Sequence, residues 1–341
     1  MARTQDVTKL EGVATPVRIG ALRRQGLVGY LRTSLVVVLT WTLVVMCAAC
    51  GAGSPGRFVV RMLVITMFVP ETKPWLAHES LPLTTAVQAV PTSLRCASTG
   101  LCVATIGEGK ANAAASMSAI LDDPALDFHQ AYFLTSGIAG VSPQTGTLGF
   151  AAWARWVVDW DLGHHLGPDA APGVPFGYLP YDDQHTNVFR LNEALVTKAY
   201  ELTKNLPLSD SAEAAASRTR FPGQAGRKPF TAICDTVTGD DYWTGAQQSQ
   251  EAQYITSIWT KNQGTYCTTQ MEDNATATVL DRHGFFSRYL SLRTASDFDQ
   301  PYAGQTAQAA LTSYPAAQPA IDNAYLAGST VAHYLLNHPP Q

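Results

Sequence analysis

Residues 58–68 read FVVRMLVITMF, an apolar run rich in β-branched side chains. Such a run lacks the polar alternation of a half-exposed strand. It reads as a central strand of a parallel sheet, buried on both faces. Working outward, residues 102–106 make a second short strand. Gly107-Glu108-Gly109 then turns the chain into residues 110–121, an Ala-rich segment of strong helix propensity. Residues 130–134 are a third strand, closed by the glycine-bearing stretch 136–140. Residues 147–158 read as a strand pair at a sheet edge, and 164–183 as a Pro/Gly/aromatic loop. Residues 191–204 are an amphipathic helix, with Leu191, Leu195, Ala199 and Leu202 at helical spacing. Residues 209–228 are polar and small, either a loop or a loosely packed helix. Residues 230–237 and 286–292 are further strands. Helical patterns cover 256–259, 270–280 and 306–336. Strands alternate with helices and no period repeats. The expected fold is a three-layer α/β/α sandwich around a mainly parallel or mixed central sheet.

The chain has 341 residues, 46% hydrophobic and 15% charged, with a net charge of −4. That balance argues against the basic face a nucleic-acid partner requires. With 26 Gly and 20 Pro it suits a compact extracytoplasmic enzyme and excludes a disordered chain. The first 56 residues differ from the rest. Arg18, Arg23, Arg24 and Arg32 form a basic stretch, residues 33–56 carry no charge, and 35–50 (LVVVLTWTLVVMCAAC) are apolar and end in small residues. Basic, apolar, small is the order of an export signal, and the run is short for a membrane anchor. Ala48-Ala49-Cys50-Gly51 resembles a lipoprotein cleavage box with Cys50 as the lipidated residue, although Cys47 stands where an aliphatic residue is usual. The expected division is therefore an export leader at 1–56 and one domain at 57–341. The expected location is the cell envelope or the outside, with a membrane tether through the leader or a Cys50 lipid. No second apolar stretch is long enough to span a bilayer.

Export permits disulfides. Beyond the leader lie Cys96, Cys102, Cys234 and Cys267, an even set with three connectivities. Cys96–Cys102 or Cys234–Cys267 is expected to close. Neither the cysteines nor the histidines have metal-ligand spacing, and His164-His165 reads as solvated loop; no metal is expected.

In a parallel sheet, ligands sit at the carboxyl ends of strands. Glu71, Gly137, Tyr242 and Asp297 all follow strands there. Ser296-Asp297 follows the last strand, and Met271-Glu272 precedes it. An aspartate at a buried strand tip can give a proton to a leaving group. A glutamate at a helix start can hold two sugar hydroxyls. The pair suggests chemistry on a nucleoside. Singly, each residue has a plainer reading: Asp297 a turn or cap, Glu272 a helix glutamate, Tyr242 and Trp243 packing aromatics, Glu71 a solvated partner of Lys73.

The order GEGKANAA (107–114), TSGIAG (135–140), TGDDY (238–242), QMED (270–273) and SD (296–297) resembles the nucleoside phosphorylase/nucleosidase superfamily. The spacing is most similar to its 5′-methylthioadenosine/S-adenosylhomocysteine nucleosidases. FVVRMLVITMFVPETKPWL, PFTAICDTVTGDDYWTG and YCTTQMEDNATA more closely resemble the purine nucleoside permeases, over residues 57–336. The resemblance implies that Asp297 protonates a purine, oriented by Ser296. It implies that Glu272 holds the ribose hydroxyls with Met271 packed beneath, and that Tyr242, Gln270 and Trp243 receive the base. Ser136 and Gly137 would form the loop facing the nucleophile or an anion. Departure of the base leaves an oxocarbenium-like sugar that a nearby carboxylate stabilises.

The superfamily's phosphorylases carry arginines where this chain has Met67-Phe68-Val69-Pro70 and Phe133-Leu134. Glu71 instead matches the nucleosidase glutamate that activates water, and would repel phosphate. Hydrolysis is favoured, with no cofactor and with phosphate a co-substrate only for a phosphorylase. Arg155 and Arg293 remain as cations without a place. The competing expectation is a nucleoside-binding component of uptake. The superfamily often completes its sites across a subunit interface, which allows a homodimer.

Overall fold

Residues 56–340 other than 168–170 are described by a computed structural model. The expected leader and Cys50 lie outside the described residues, apart from Gly56. Contacts gather the chain from Gly56 onward into one compact unit.

The sheet is built around strand β1, Met62–Thr66, every residue of which is buried. The other strands follow in chain order: β2 Leu83–Thr85, β3 Leu94–Cys96, β4 Leu101–Thr105, β5 Tyr132–Val141, β6 Ala151–Trp153 and β7 Trp156–Asp159. After them come β8 Val188–Arg190, β9 Thr231–Ile233, β10 Asp235–Thr238, β11 Tyr266–Gln270 and β12 Tyr289–Phe298. These twelve strands run β8-β7-β10-β11-β5-β1-β4-β3-β2, with β12 joining β5 to β6 and β6 joining β9. The inner pairs β1–β4, β1–β5, β5–β12 and β10–β11 are parallel, whereas β11–β5 and β12–β6 are antiparallel. The sheet is thus mixed, as the sequence leads one to expect. Strand β5 is its hub. Its first half pairs with β1, nearly its whole length pairs with β12, and its end pairs with β11.

Eight α-helices belong to the described residues: α1 Val69–His78, α2 Lys110–Leu121, α3 Glu193–Thr203, α4 Ala212–Arg218, α5 Ala246–Trp259, α6 Asp273–Arg282, α7 Ala307–Leu311 and α8 Ala317–Leu336. Helix α8 packs on β5 and β12 and carries α1 and α3 beside it, while α2 packs on α6. Burying Leu63, Val64 and Ile65 between such layers stabilises by roughly 1.5–3 kcal/mol per side chain.

Several boundaries differ from those read in the sequence. The 58–68 run is not one strand. Phe58–Val59 pairs separately with Leu126–Asp127, and α1 starts at Val69 directly after Phe68, with Pro70 in its first turn. A proline at the first helical turn removes no hydrogen bond the helix needs. Strand β5 runs to Val141, so the 136–140 stretch is strand rather than a closing loop. Gln270 ends a strand and does not begin a helix. The last strand starts later and runs farther than 286–292, so that Ser296-Asp297 lies inside it. The 306–336 helix is two, interrupted ahead of Pro315, whose ring disfavours helical geometry in the residue before it. Within 209–228, Ser211 caps α4 by accepting from the Ala214 N–H at 3.0 Å.

Both expected cysteine pairs are bonded. Cys96–Cys102 ties β3 to β4, with Cα atoms 4.1 Å apart, and Cys234–Cys267 ties the start of β10 to β11 at 5.8 Å. No group of three His, Cys, Asp or Glu placed to hold a metal occurs among the described residues.

Candidate active site

The strand ends of β1, β5, β11 and β12 open onto one cavity of about 540 Å³. Glu71, Tyr242, Trp243, Met271, Glu272 and Asp297 all line it, as do Gln270 and Ser296. Phe68, Pro70, Ala317 and Ile321 add an apolar wall that the motifs did not foretell.

Asp297 owes its direction to a β-bulge. The pairing of β12 with β5 slips one residue between Ala295 and Asp297. A bulge of this kind re-aims a side chain, and here it leaves Asp297 opposite Gly140. Ser296 donates its hydroxyl to Asp297 Oδ1 at 2.6 Å, and Tyr242 lines the same cavity wall. Burial is the main influence on Asp297 and pushes it up to about 7, with the like charge of Asp299 acting in the same direction. It can therefore hold a proton at neutral pH. Tyr242 lines the cavity and is 45% exposed.

Glu71 lies in the first turn of α1, where it accepts from the Met67 N–H at 2.8 Å and, with its other oxygen, from the Ile138 N–H at 2.8 Å. Burial outweighs these bonds and the Arg293 charge, and pushes Glu71 up to about 8. Gly137 explains how the carboxyl comes so close to β5. A side-chain carbon there would collide with Met67 and stand 2.8 Å from Glu71 Oε1 and 3.0 Å from Arg293 Nη1.

Glu272 precedes α6. Its Oε1 accepts from the Gly109 N–H at 2.9 Å and its Oε2 from Arg293 Nη2 at 3.0 Å. Each oxygen keeps a lone pair for a ligand hydroxyl. The turn GEGK thus has a mechanical use: its backbone orients this carboxylate. Lys110 fastens the same turn, bridging Asp159 and Asp161 at 2.9 Å each.

Three expectations need correction. Ser136 does not face the cavity; it donates to the Ala324 carbonyl at 3.1 Å, beneath α8. Gly137 belongs to a strand and serves close packing rather than an anion loop. Gln270 is spent within the wall. Its Oε1 accepts from the Glu272 and Asp273 N–H groups at 2.8 and 2.9 Å, and its Nε2 donates to Thr238 at 2.6 Å. It positions Glu272 and has no donor left for a base edge.

The two unplaced cations are also resolved. Arg155 pairs with Glu193 at 2.8 Å on the surface. Arg293 is fully enclosed in the cavity wall, with Nη2 2.6 Å from Asp273 and 3.0 Å from Glu272. The signal for it was visible: one arginine inside the apolar strand sequence YLSLRTASDF.

The family described as purine nucleoside permease matches residues 59–339. A probable purine nucleoside permease of Schizosaccharomyces pombe is 33% identical over 319 residues, covering 84% of this chain and 92% of that one. A purine nucleoside permease of Candida albicans is 30% identical, over 82% of this chain and 75% of that one. Among solved structures, a 5′-methylthioadenosine/S-adenosylhomocysteine nucleosidase from Colwellia psychrerythraea, in complex with adenine, superimposes with a TM-score of 0.54 at 16% identity, over 82% of this chain and 98% of that one. Futalosine hydrolase of Helicobacter pylori does so with a TM-score of 0.52 at 14% identity, over 81% and 98%. At those identities the likeness concerns the fold: a mixed α/β sheet of nucleosidase type.

Proposed function

Since the chain belongs to the purine nucleoside permease family, we propose that it binds a purine nucleoside in this cavity and hydrolyses its N-glycosidic bond. The observation that carries the reading is the presence of two buried carboxyls, Glu71 and Asp297, in the wall of one cavity. Glu272 holds the ribose hydroxyls. Asp297 gives its proton to the imidazole nitrogen of the purine, so that the C1′–N9 electron pair leaves on a neutral base. Water adds to C1′ and passes its proton to Glu71. The products are free purine and ribose, and atoms balance with water alone. Arg293 supports the ionised forms of Glu272 and Glu71. No cofactor enters these steps.

A second reading, nucleoside binding for uptake, is favoured by the names of the relatives. No described helix is long and apolar enough to cross a membrane. One experiment separates the readings: purified protein incubated with inosine or adenosine, with and without phosphate, and assayed for free base. Phosphate-independent release supports hydrolysis. Release only with phosphate defeats it in favour of phosphorolysis, and no release favours binding. We place the reaction outside the cytoplasm, on the strength of the leader sequence.

A further inference from the structure

Asp299 stands two residues beyond Asp297, just past the end of β12, and is 1% exposed. The reaction outlined above does not use it. A side-chain carbon placed on Gly140 would lie 3.4 Å from Asp297 Oδ2 and 3.8 Å from Asp299 Cβ, so the two acids share the space over one glycine. Asp299 Oδ2 accepts from the Ser249 hydroxyl of α5 at 2.7 Å and from the Tyr266 hydroxyl of β11 at 2.8 Å. Its Oδ1 is buried without a partner. The groups facing Asp297 are Ser296, Tyr242 and, across Gly140, Asp299 itself. Every neighbour that acts on either carboxyl is a hydroxyl or another acid; the nearby cation, Arg293, is committed to Glu272 and Asp273. Two enclosed carboxyls without a counter-cation cannot both ionise cheaply, because a buried charge needs a partner and like charges repel most strongly where the dielectric is low.

We infer that Asp299 is the positioning residue that keeps Asp297 in its acid form: near neutral pH the two carboxyls retain one proton between them, and Asp299, with the Tyr266 and Ser249 hydroxyls as donors, leaves that proton on the member that faces the ligand. This rests on the nucleoside reading of the cavity. Burial pushes both groups up to about 7, and the Asp299 charge adds to the rise of Asp297. The arrangement gives the site a loaded acid.

The test is the pH dependence of base release from inosine and adenosine, in the wild type, Asp299→Asn and Tyr266→Phe. Asp299→Asn removes the repelling charge and lowers Asp297, so the acid limb, the one nearer the Asp297 value, should move down by roughly one pH unit or more. Tyr266→Phe removes a donor to ionised Asp299, so the pair should keep its last proton longer and the limb should move up. A merely structural role does not produce opposite shifts. An unmoved limb in Asp299→Asn, or shifts of both variants in the same direction, overturns the inference. If the wild type releases no base at any pH, the hydrolytic reading fails separately. Calorimetry of hypoxanthine and adenine binding, in buffers of different ionisation enthalpy, then reads proton uptake directly. Uptake whose pH dependence shifts oppositely in the two variants supports the pair, and uptake unchanged by Asp299→Asn rejects it. Should Asp299→Asn fail to fold, Tyr266→Phe alone decides by the direction of its shift.

Discussion

Asp297 and Glu71 require opposite protonation states for the proposed reaction, and their environments put both transitions near neutrality. Burial pushes Asp297 up to about 7 and Glu71 up to about 8. The working form, with Asp297 protonated and Glu71 ionised, peaks between these values and falls on either side. Base release should follow a bell with limbs near pH 7 and pH 8, which belong to the pair rather than to either group; a flat profile over that range would contradict the assignment. Asp297→Asn keeps the shape and removes the transferable proton. Its turnover should drop by about 10²–10⁴-fold while inosine binding persists. Glu272→Gln exchanges a carboxylate for an amide beside both Arg293 and the sugar. Nucleoside affinity by calorimetry should weaken by ~10- to 150-fold, the equivalent of one charged hydrogen bond. Asp297 and Glu272 were legible in the sequence because a helix start or a strand end confines what a carboxylate there can do. Ser136 and Gln270 were misread because strand register and wall hydrogen bonds, which a motif does not encode, decide which way they point.

At the scale of elements, β5 and β12 carry the site, and their close approach depends on Gly137. An alanine there would press on Glu71 Oε1, Arg293 and Met67 at once. Overpacking of that kind costs about 1–3 kcal/mol. Gly137→Ala should lower the unfolding free energy by that amount and reduce nucleoside turnover further than the loss of fold explains, both measurable on one preparation. The two disulfides act on different loop lengths. Cys234–Cys267 closes 33 residues of sequence separation and Cys96–Cys102 only 6. Loop-closure entropy then favours about 3–4 kcal/mol for the first and about 2 for the second. Denaturant titration of Cys234→Ser/Cys267→Ser against Cys96→Ser/Cys102→Ser checks the order. Element type was readable where a long apolar run or an Ala-rich segment spoke alone. Boundaries moved where a neighbour supplied the reason: Pro70 and Pro315 fixed helix ends, and β12 extended β5 by pairing along nearly all of it.

For the whole molecule, four buried carboxyls bear on stability together. Asp235 is pushed up to about 6, Asp297 and Asp299 to about 7 and Glu71 to about 8, each mainly by burial. The folded chain holds these protons at pH values where the unfolded chain has released them. Their stabilising contribution is complete below the ordinary carboxyl range and is lost as pH rises through 6, 7 and 8. The melting temperature should fall across that interval and level off above it; a rise would contradict the burial of these acids. On the proposed export, a full-length product should reach the envelope fraction, and a Cys50→Ser variant that keeps a lipid label would exclude lipidation there. The sequence by itself determined the α/β class, because runs such as MLVIT leave water only by entering a sheet covered on both sides. It also pointed to Asp297 and Glu272 as neighbours in one cavity, since strand and helix ends converge on one edge of such a sheet. Only the tertiary structure decided that Arg293 is spent on carboxylates, that Ser136 lies under α8, and that Asp299 stands behind Asp297. Those facts depend on a one-residue bulge and on partners far away in the chain, and local sequence carries no record of either.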